Sequence, residues 1–252
     1  MKLTGKTALV TGGNSGIGLG IAHKLNDEGA KGIIVGRDKQ TLESSSQMLS
    51  GNFAPISCDV TNNESLESLF NSTKQQVGKL DILVVNAGGA VGAGSIQPFD
   101  QFDEESFDAM TALNFKSVFY TVQKALPYLN DNASVILIAS IAVHKGFPGM
   151  SVYAGCKAAV RSLARTLSVE LMSRGIRVNV VSPGTIDTPV FEKLGLPAEA
   201  IEQVKKQFTD LIPIERIGMP SDIGNVVAFL ASPESSFIIG EEIIADGGVV
   251  NL

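Results

Sequence analysis

The chain alternates between short apolar runs and longer segments with one apolar face. The runs are K-T-A-L-V-T at 6–11, G-I-I-V-G at 32–36, residues 53–58, residues 80–85, V-I-L-I-A-S at 135–140, residues 176–181 and residues 242–245. Near-continuous apolar runs of strand length are expected where a parallel sheet is covered on both faces. Between them, apolar positions recur at helical spacing. Ile17, Ile21, Ala22 and Leu25 precede Gly29, and Leu66, Leu69, Phe70 and Val77 mark a helix ending near residue 77. Further helices are expected at 39–49, 104–129, 151 to about 174, and 221–231. The alternation predicts an α/β fold: a doubly wound, seven-stranded parallel sheet in one domain over residues 1–252.

Composition narrows the function. A chain of 252 residues can bury one large core, and no linker or charge block divides it. A net charge of −6 without a basic cluster predicts no nucleic-acid partner. No apolar stretch is long enough for a membrane span, and the first residues lead straight into a strand rather than a signal segment. Cys58 and Cys156 make no disulfide framework. A reduced, cytoplasmic setting is expected. His144 has no second ligand beside it, so no metal site is expected, and it reads as exposed loop or pocket wall. His23 reads as structural or solvated.

The chemistry concentrates between Ser140 and Lys157. Ser140 ends an apolar run, and the carboxyl ends of strands are where open α/β sheets place their sites. Tyr153 and Lys157 are at i and i+4, on one helical face. An ammonium beside a phenol is expected to lower the phenol's pKa toward the range of a general acid or base. The stretch thus offers a proton donor, a cation to tune it and a hydroxyl to hold an oxygen.

A second pattern follows the first strand. Gly12, Gly16 and Gly18 stand between that strand and a helix. Gly12 permits a tight exit, Gly16 a close approach to a pyrophosphate, and Gly18 close packing of helix on sheet, with the helix N-terminus facing the phosphates. The second strand ends in Gly36 and Arg37, without the acidic residue that would hold the ribose of NAD. A guanidinium there suits a 2′-phosphate, which favours NADP(H) over NAD(H). Asp38 reads as a helix N-cap in preference to a ribose ligand.

Ser-x12-Tyr-x3-Lys, with T-G-x-x-x-G-x-G starting at Thr11, N-A-G at Asn86 and P-G at Pro183, resembles the short-chain dehydrogenase/reductase family from residue 11 to residue 248. The resemblance implies a Rossmann-like fold and hydride transfer between NAD(P) and a carbonyl or alcohol carbon. It implies Ser140, Tyr153, Lys157 and Asn114 as catalytic residues, Asn114 lying in a locally disturbed helix. It also implies a cofactor site of Gly12, Asn14, Ser15, Gly16, Ile17, Gly18, Arg37, Asp59, Val60, Asn86, Ala87, Gly88, Tyr153, Lys157, Pro183, Gly184, Ile186 and Thr188. Ser15 departs from relatives that use NADP and carry Arg or Lys there. Asp59 reads either as an adenine contact or as part of a helix start, and Asn86 as a brace of the sheet centre. Residues 186–213 are expected as a substrate lid or a surface excursion. Pocket walls are expected from 89–94, 142–150 and 186–208, including Val143, Phe147, Met150 and Phe191, around an apolar ketone or secondary alcohol. The resemblance implies a homotetramer, with a homodimer open. A catalytically silent dinucleotide sensor is the alternative.

Overall fold

The computed structural model describes residues 1–90, 96–189, 191 and 197–252. Seven strands form one parallel sheet: β1 (Thr7–Thr11), β2 (Lys31–Gly36), β3 (Phe53–Ser57), β4 (Leu80–Val85), β5 (Leu129–Ile138), β6 (Arg177–Pro183) and β7 (Glu242–Ala245). Their spatial order is β3-β2-β1-β4-β5-β6-β7. The chain winds outward from β1 to β3, returns to place β4 beside β1, then winds the other way. A crevice opens at that switch point, at the carboxyl ends of the strands.

Helices α1 (Gly16–Asp27), α2 (Lys39–Met48) and α8 (Pro220–Ala231) cover one face. Their Ile21, Leu25, Leu42, Ile223 and Val227 pack on Val10, Ile34, Val84 and Ile136 of the strands. Helices α3 (Asn63–Val77), α5 (Ser117–Ala125) and α6 (Ser151–Glu170) cover the other. Leu66, Phe70, Val118, Val122 and Val160 there meet Leu9, Leu83, Val135 and Val180. Successive strand residues thus feed opposite cores, which is why the strands read as unbroken apolar runs. Helices α1 and α8 meet backbone to backbone. A Cβ on Gly20 would lie 2.7 Å from the carbonyl carbon of Pro220, and one on Gly224 2.7 Å from the Gly20 carbonyl oxygen. Among the described residues no helix is long and apolar enough to cross a membrane.

The seven-stranded sheet matches expectation, and several boundaries do not. The helix expected over 104–129 is divided into α4 (Glu104–Thr111), a wide π turn at Ala112–Lys116, α5 and a tight turn at Leu126–Tyr128. Pro127 lacks an N–H to continue the ladder. Leu129 already belongs to β5, which starts earlier than its apolar run because Asn130–Asn132 enter the sheet through a register shift opposite Leu80 and Ile82. Helix α6 stops at Glu170, short of residue 174. Helix α8 starts at Pro220, with the Asp222 carboxylate accepting from the Met219 N–H at 2.7 Å.

Candidate active site

The crevice is a cleft of about 830 Å³, and every residue expected to hold the cofactor lines it. The first turn of α1 forms its floor. Gly12 has φ +65°, and a Cβ on Gly18 would sit 2.0 Å from the Gly12 carbonyl oxygen. No other residue lets the helix start this close to the strand exit. Ser15 is the α1 N-cap but makes no side-chain capping bond. The leading N–H groups of α1 therefore lack a side-chain cap and are suited to an anion. The chemistry of this floor fits the diphosphate of a dinucleotide.

The ribose end differs in detail from expectation. The Asn14 amide occupies the space above Gly36, where a Cβ would lie 2.4 Å from its Oδ1, and donates to the Thr41 hydroxyl at 2.8 Å. Asp38 caps α2, accepting from the Thr41 N–H at 2.7 Å. Its carboxylate is committed there, and Arg37 stands exposed at the cleft. Asp59 is not the α3 N-cap; Asn62 is. Asp59 Oδ1 accepts from the Thr61 N–H at 2.9 Å and its hydroxyl at 2.7 Å. Burial would raise this carboxyl, but the Thr61 bonds and the Arg37 charge outweigh burial and hold it below its ordinary range.

Asn86 braces the sheet centre. Its Nδ2 donates to the Thr11 carbonyl at 3.0 Å, while the Asn86 and Ala87 N–H groups donate to the Thr11 hydroxyl at 2.9 and 3.0 Å. Sequence reasoning gave Thr11 no such role; a hydroxyl closing a buried strand was the available signal. Pro183 and Gly184 leave β6 on the far wall, and Ile186 pairs with Gly218 in an isolated bridge. Thr188 lies against Gly16, where a Cβ would approach it to 3.2 Å.

Tyr153 and Lys157 also line the cleft, one helical turn apart on α6. The Lys157 ammonium is buried, donates to the Ile138 carbonyl at 3.0 Å and lies 5.7 Å from the Tyr153 ring centroid. Burial lowers its pKa to about 8. The Tyr153 phenol does not follow expectation: its pKa is raised. Burial dominates, and the opposing hydrogen bond from Ser140 does not reverse it. A phenol taken out of water keeps its proton unless its surroundings compensate, and here burial outweighs the bond that opposes it. Ser140 stands outside β5, capping the short turn Ile141–Val143, with its hydroxyl accepting from the Ala142 N–H at 3.2 Å. It is part-exposed and meets the site through its hydrogen bond with Tyr153.

Asn114 lies wholly buried inside the π turn, behind the cleft. Its Oδ1 accepts from the Gly89 N–H at 2.8 Å, and its Nδ2 donates to the Gly89 and Met110 carbonyls at 3.2 and 3.1 Å. A buried amide in an apolar helix needs such partners. It ties the disturbed helix to the loop after β4.

On the substrate side, Ile96, Leu113, Met150, Phe191 and Phe208 line the cleft. Val143 instead packs on the core, and Phe147 is not among the residues that line the cleft. Ile96 and Leu113 were not foreseen, although Leu113 adjoins Asn114. Phe191 and Phe208 meet edge to face at 6.0 Å, the latter on α7 (Ala198–Asp210). Of the expected wall and lid, residues 91–94, 190 and 192–196 lie outside the described residues. His144 is no part of this wall: its Nε2 is 2.9 Å from Glu242 Oε1. Among the described residues no cluster could hold a metal ion. A second cavity, of about 420 Å³, lies beside β7, where Arg216 and Asp222 satisfy each other at 2.7 Å.

Residues 12–250 match the protein family described as Enoyl-(Acyl carrier protein) reductase. The chain is 38% identical to the oxidoreductase asL5 of Sarocladium schorii, covering 100% of this chain and 98% of that protein. It is 36% identical to the 3-oxoacyl-[acyl-carrier-protein] reductase FabG of Thermotoga maritima, over 99% of this chain and 100% of that one. A solved short-chain dehydrogenase/reductase from Serratia marcescens superposes with a TM-score of 0.89 at 30% identity, over 99% of this chain and 100% of that one.

Proposed function

Because the chain belongs to the short-chain dehydrogenase/reductase family of NAD(P)-dependent oxidoreductases, we propose that it is an NADPH-dependent carbonyl reductase acting on small or medium apolar ketones, or on the matching secondary alcohols in reverse. The observation that carries this reading is the geometry of the cleft. Tyr153 and Lys157 line it one helical turn apart on α6, across from the glycine turn, and the Tyr153 phenol, hydrogen-bonded by Ser140, stands where a carbonyl oxygen needs a proton donor.

The nicotinamide cofactor, when bound, supplies the hydride. The glycine turn and α1 N-terminus would hold its diphosphate, Asp59 and Val60 its adenine, and Lys157 and Thr188 its nicotinamide end. Ser140 holds the substrate oxygen and Tyr153 delivers the proton. Lys157, with a pKa of about 8, exchanges protons close to working pH and can restore the phenol. Asn114 keeps the π turn against the loop after β4. NADPH is favoured because Gly36 carries no carboxylate, Asp38 is committed to its cap and Arg37 faces the cleft. Ile96, Leu113, Met150, Phe191 and Phe208 give the substrate an apolar wall, and α7, which carries Phe208, would act as part of a lid over it. The protein works in the cytoplasm as a homotetramer. Exposed Phe107 and Phe119 beside the π turn, and Phe237 near β7, support assembly through those faces.

The test is oxidation of NADPH and NADH by the purified protein against aldehydes, ketones, diketones and quinones, with light scattering for the assembly. NADPH oxidation with apolar ketones is expected. Binding of both cofactors without turnover, in either direction, would make the protein a dinucleotide sensor instead.

A further inference from the structure

Glu242 opens the edge strand β7, yet its side chain is only 6% exposed. Three groups converge on its carboxylate. Ser182 donates to Oε1 at 2.5 Å, His144 Nε2 lies 2.9 Å from the same oxygen, and Arg161 Nε donates to Oε2 at 2.7 Å. Arg161 also donates to the Gly240 carbonyl at 3.2 Å, tying down the approach to the strand. Burial would raise the Glu242 pKa, but the bonds from Ser182, His144 and Arg161 together outweigh burial and keep the group ionised. The Ser182 hydroxyl bonds the carboxylate rather than the imidazole, so the cluster is not arranged as a nucleophile with its base.

The three partners come from the three segments that carry the chemistry. His144 closes the short turn that Ser140 opens. Arg161 is one helical turn beyond Lys157 and two beyond Tyr153 on α6. Ser182 immediately precedes Pro183 and Gly184 on β6. A single buried carboxylate therefore sits at the common root of the Ser140 turn, the Tyr153 helix and the strand end on the nicotinamide side.

We propose that Glu242 is a positioning residue for the reaction: through His144, Arg161 and Ser182 it fixes the Ser140 turn, α6 and the end of β6 relative to one another. The inference rests on the functional reading above for its kinetic consequence, but its structural content stands apart. An edge strand of four residues has little of its own to hold three segments in register. A hydrogen-bonded charge with three partners does, because breaking it leaves an arginine and a hydroxyl part-buried without their acceptor.

The experiment compares the wild-type protein with Glu242→Ala and Glu242→Gln, and with Glu234→Gln as a control at an exposed surface pair with Lys2. Amide hydrogen exchange is read first. In Glu242→Ala, exchange in residues 140–148 and 183–188 is expected to rise together by about tenfold, while β1 and β2 keep wild-type protection. Glu242→Gln, which keeps one acceptor oxygen, is expected to recover part of that protection. A rise confined to β7, or none, overturns the proposal. With a substrate in hand, kcat in folded Glu242→Ala is expected to fall about tenfold, with the KM for cofactor within about threefold. An unchanged kcat, or a loss no larger than the unfolded fraction, also overturns it. If the wild-type protein turns nothing over, the functional reading falls, and hydrogen exchange alone still decides the positioning role.

Discussion

The two halves of the sheet serve the site in opposite ways. The half built from β1 to β3 presents backbone at its glycine turn, with Arg37 and Asp59 at the rim. Its contacts are close approaches that a Cβ would forbid, such as Gly18 against the Gly12 carbonyl at 2.0 Å. The half built from β4 to β7 presents buried polar side chains: Asn114, Lys157 and Glu242 all lie in places where a polar group needs partners to persist. Recognition of a constant cofactor can be built into backbone shape. Proton chemistry requires titratable groups, whose properties depend on what surrounds them. The first half should thus fail by steric collision, and the second by loss of a proton or a charge.

The largest separation is expected at Tyr153. Tyr153→Phe removes the phenolic hydroxyl and leaves the ring, so turnover should fall by about 10³-fold while NADPH affinity, read by fluorescence titration, stays within about twofold. Substantial residual turnover would take the proton donor elsewhere. Gly18→Ala should do the reverse. Its Cβ meets backbone that cannot yield cheaply, so cofactor affinity should drop about 10²-fold, with stability down by about 3 kcal/mol in thermal unfolding. Wild-type cofactor binding in that variant would show that the close approach is not needed.

Lys157 gives a smaller effect of opposite sign. Moving its pKa from 10.5 to about 8 corresponds to about 3 kcal/mol against the charged form. The unfolded chain binds the extra proton between those values, so this site's contribution to stability rises as pH climbs from about 8 to 10.5. Lys157→Met should be more stable than wild type by about 2 kcal/mol at pH 7, after about 1 kcal/mol for the lost bond to Ile138. The advantage should vanish near the top of that pH window, as denaturant unfolding at both ends would show. An advantage independent of pH would mean that the ammonium is not penalised. Arg37→Ala is the mildest case: NADPH should bind about tenfold more weakly and NADH within about twofold. Equal losses would remove Arg37 from a 2′-phosphate.

The same contrast explains how much could be read before the structure. The glycine turn was legible because Gly12, Gly16 and Gly18 act within one local unit, where spacing along the chain is spacing in space. Tyr153 and Lys157 were legible as a pair for the same reason. The direction of the Tyr153 pKa was not, since it depends on burial created by distant elements. Asn114 could be flagged as a polar residue in an apolar helix, but its partner Gly89 lies 25 residues away. Glu242 left no local trace at all. Its partners are 98, 81 and 60 positions distant, and only the winding of the sheet brings them together. His144 was legible as exposed loop, and it is one, but its bond to a carboxylate 98 positions away could not be seen. The break of the expected long helix at Pro127 was legible and was overrun by the apolar pattern around it.

The central claim is that hydride passes from the cofactor to a carbonyl carbon while the protein supplies the proton. The most direct measurement incubates the wild-type protein with NADPH carrying deuterium at the transferred position and an apolar ketone, then analyses the alcohol by mass spectrometry. One deuterium on the carbinol carbon is the predicted result. NADPH oxidation without deuterium in the product, or no product from any ketone despite cofactor binding, would contradict it.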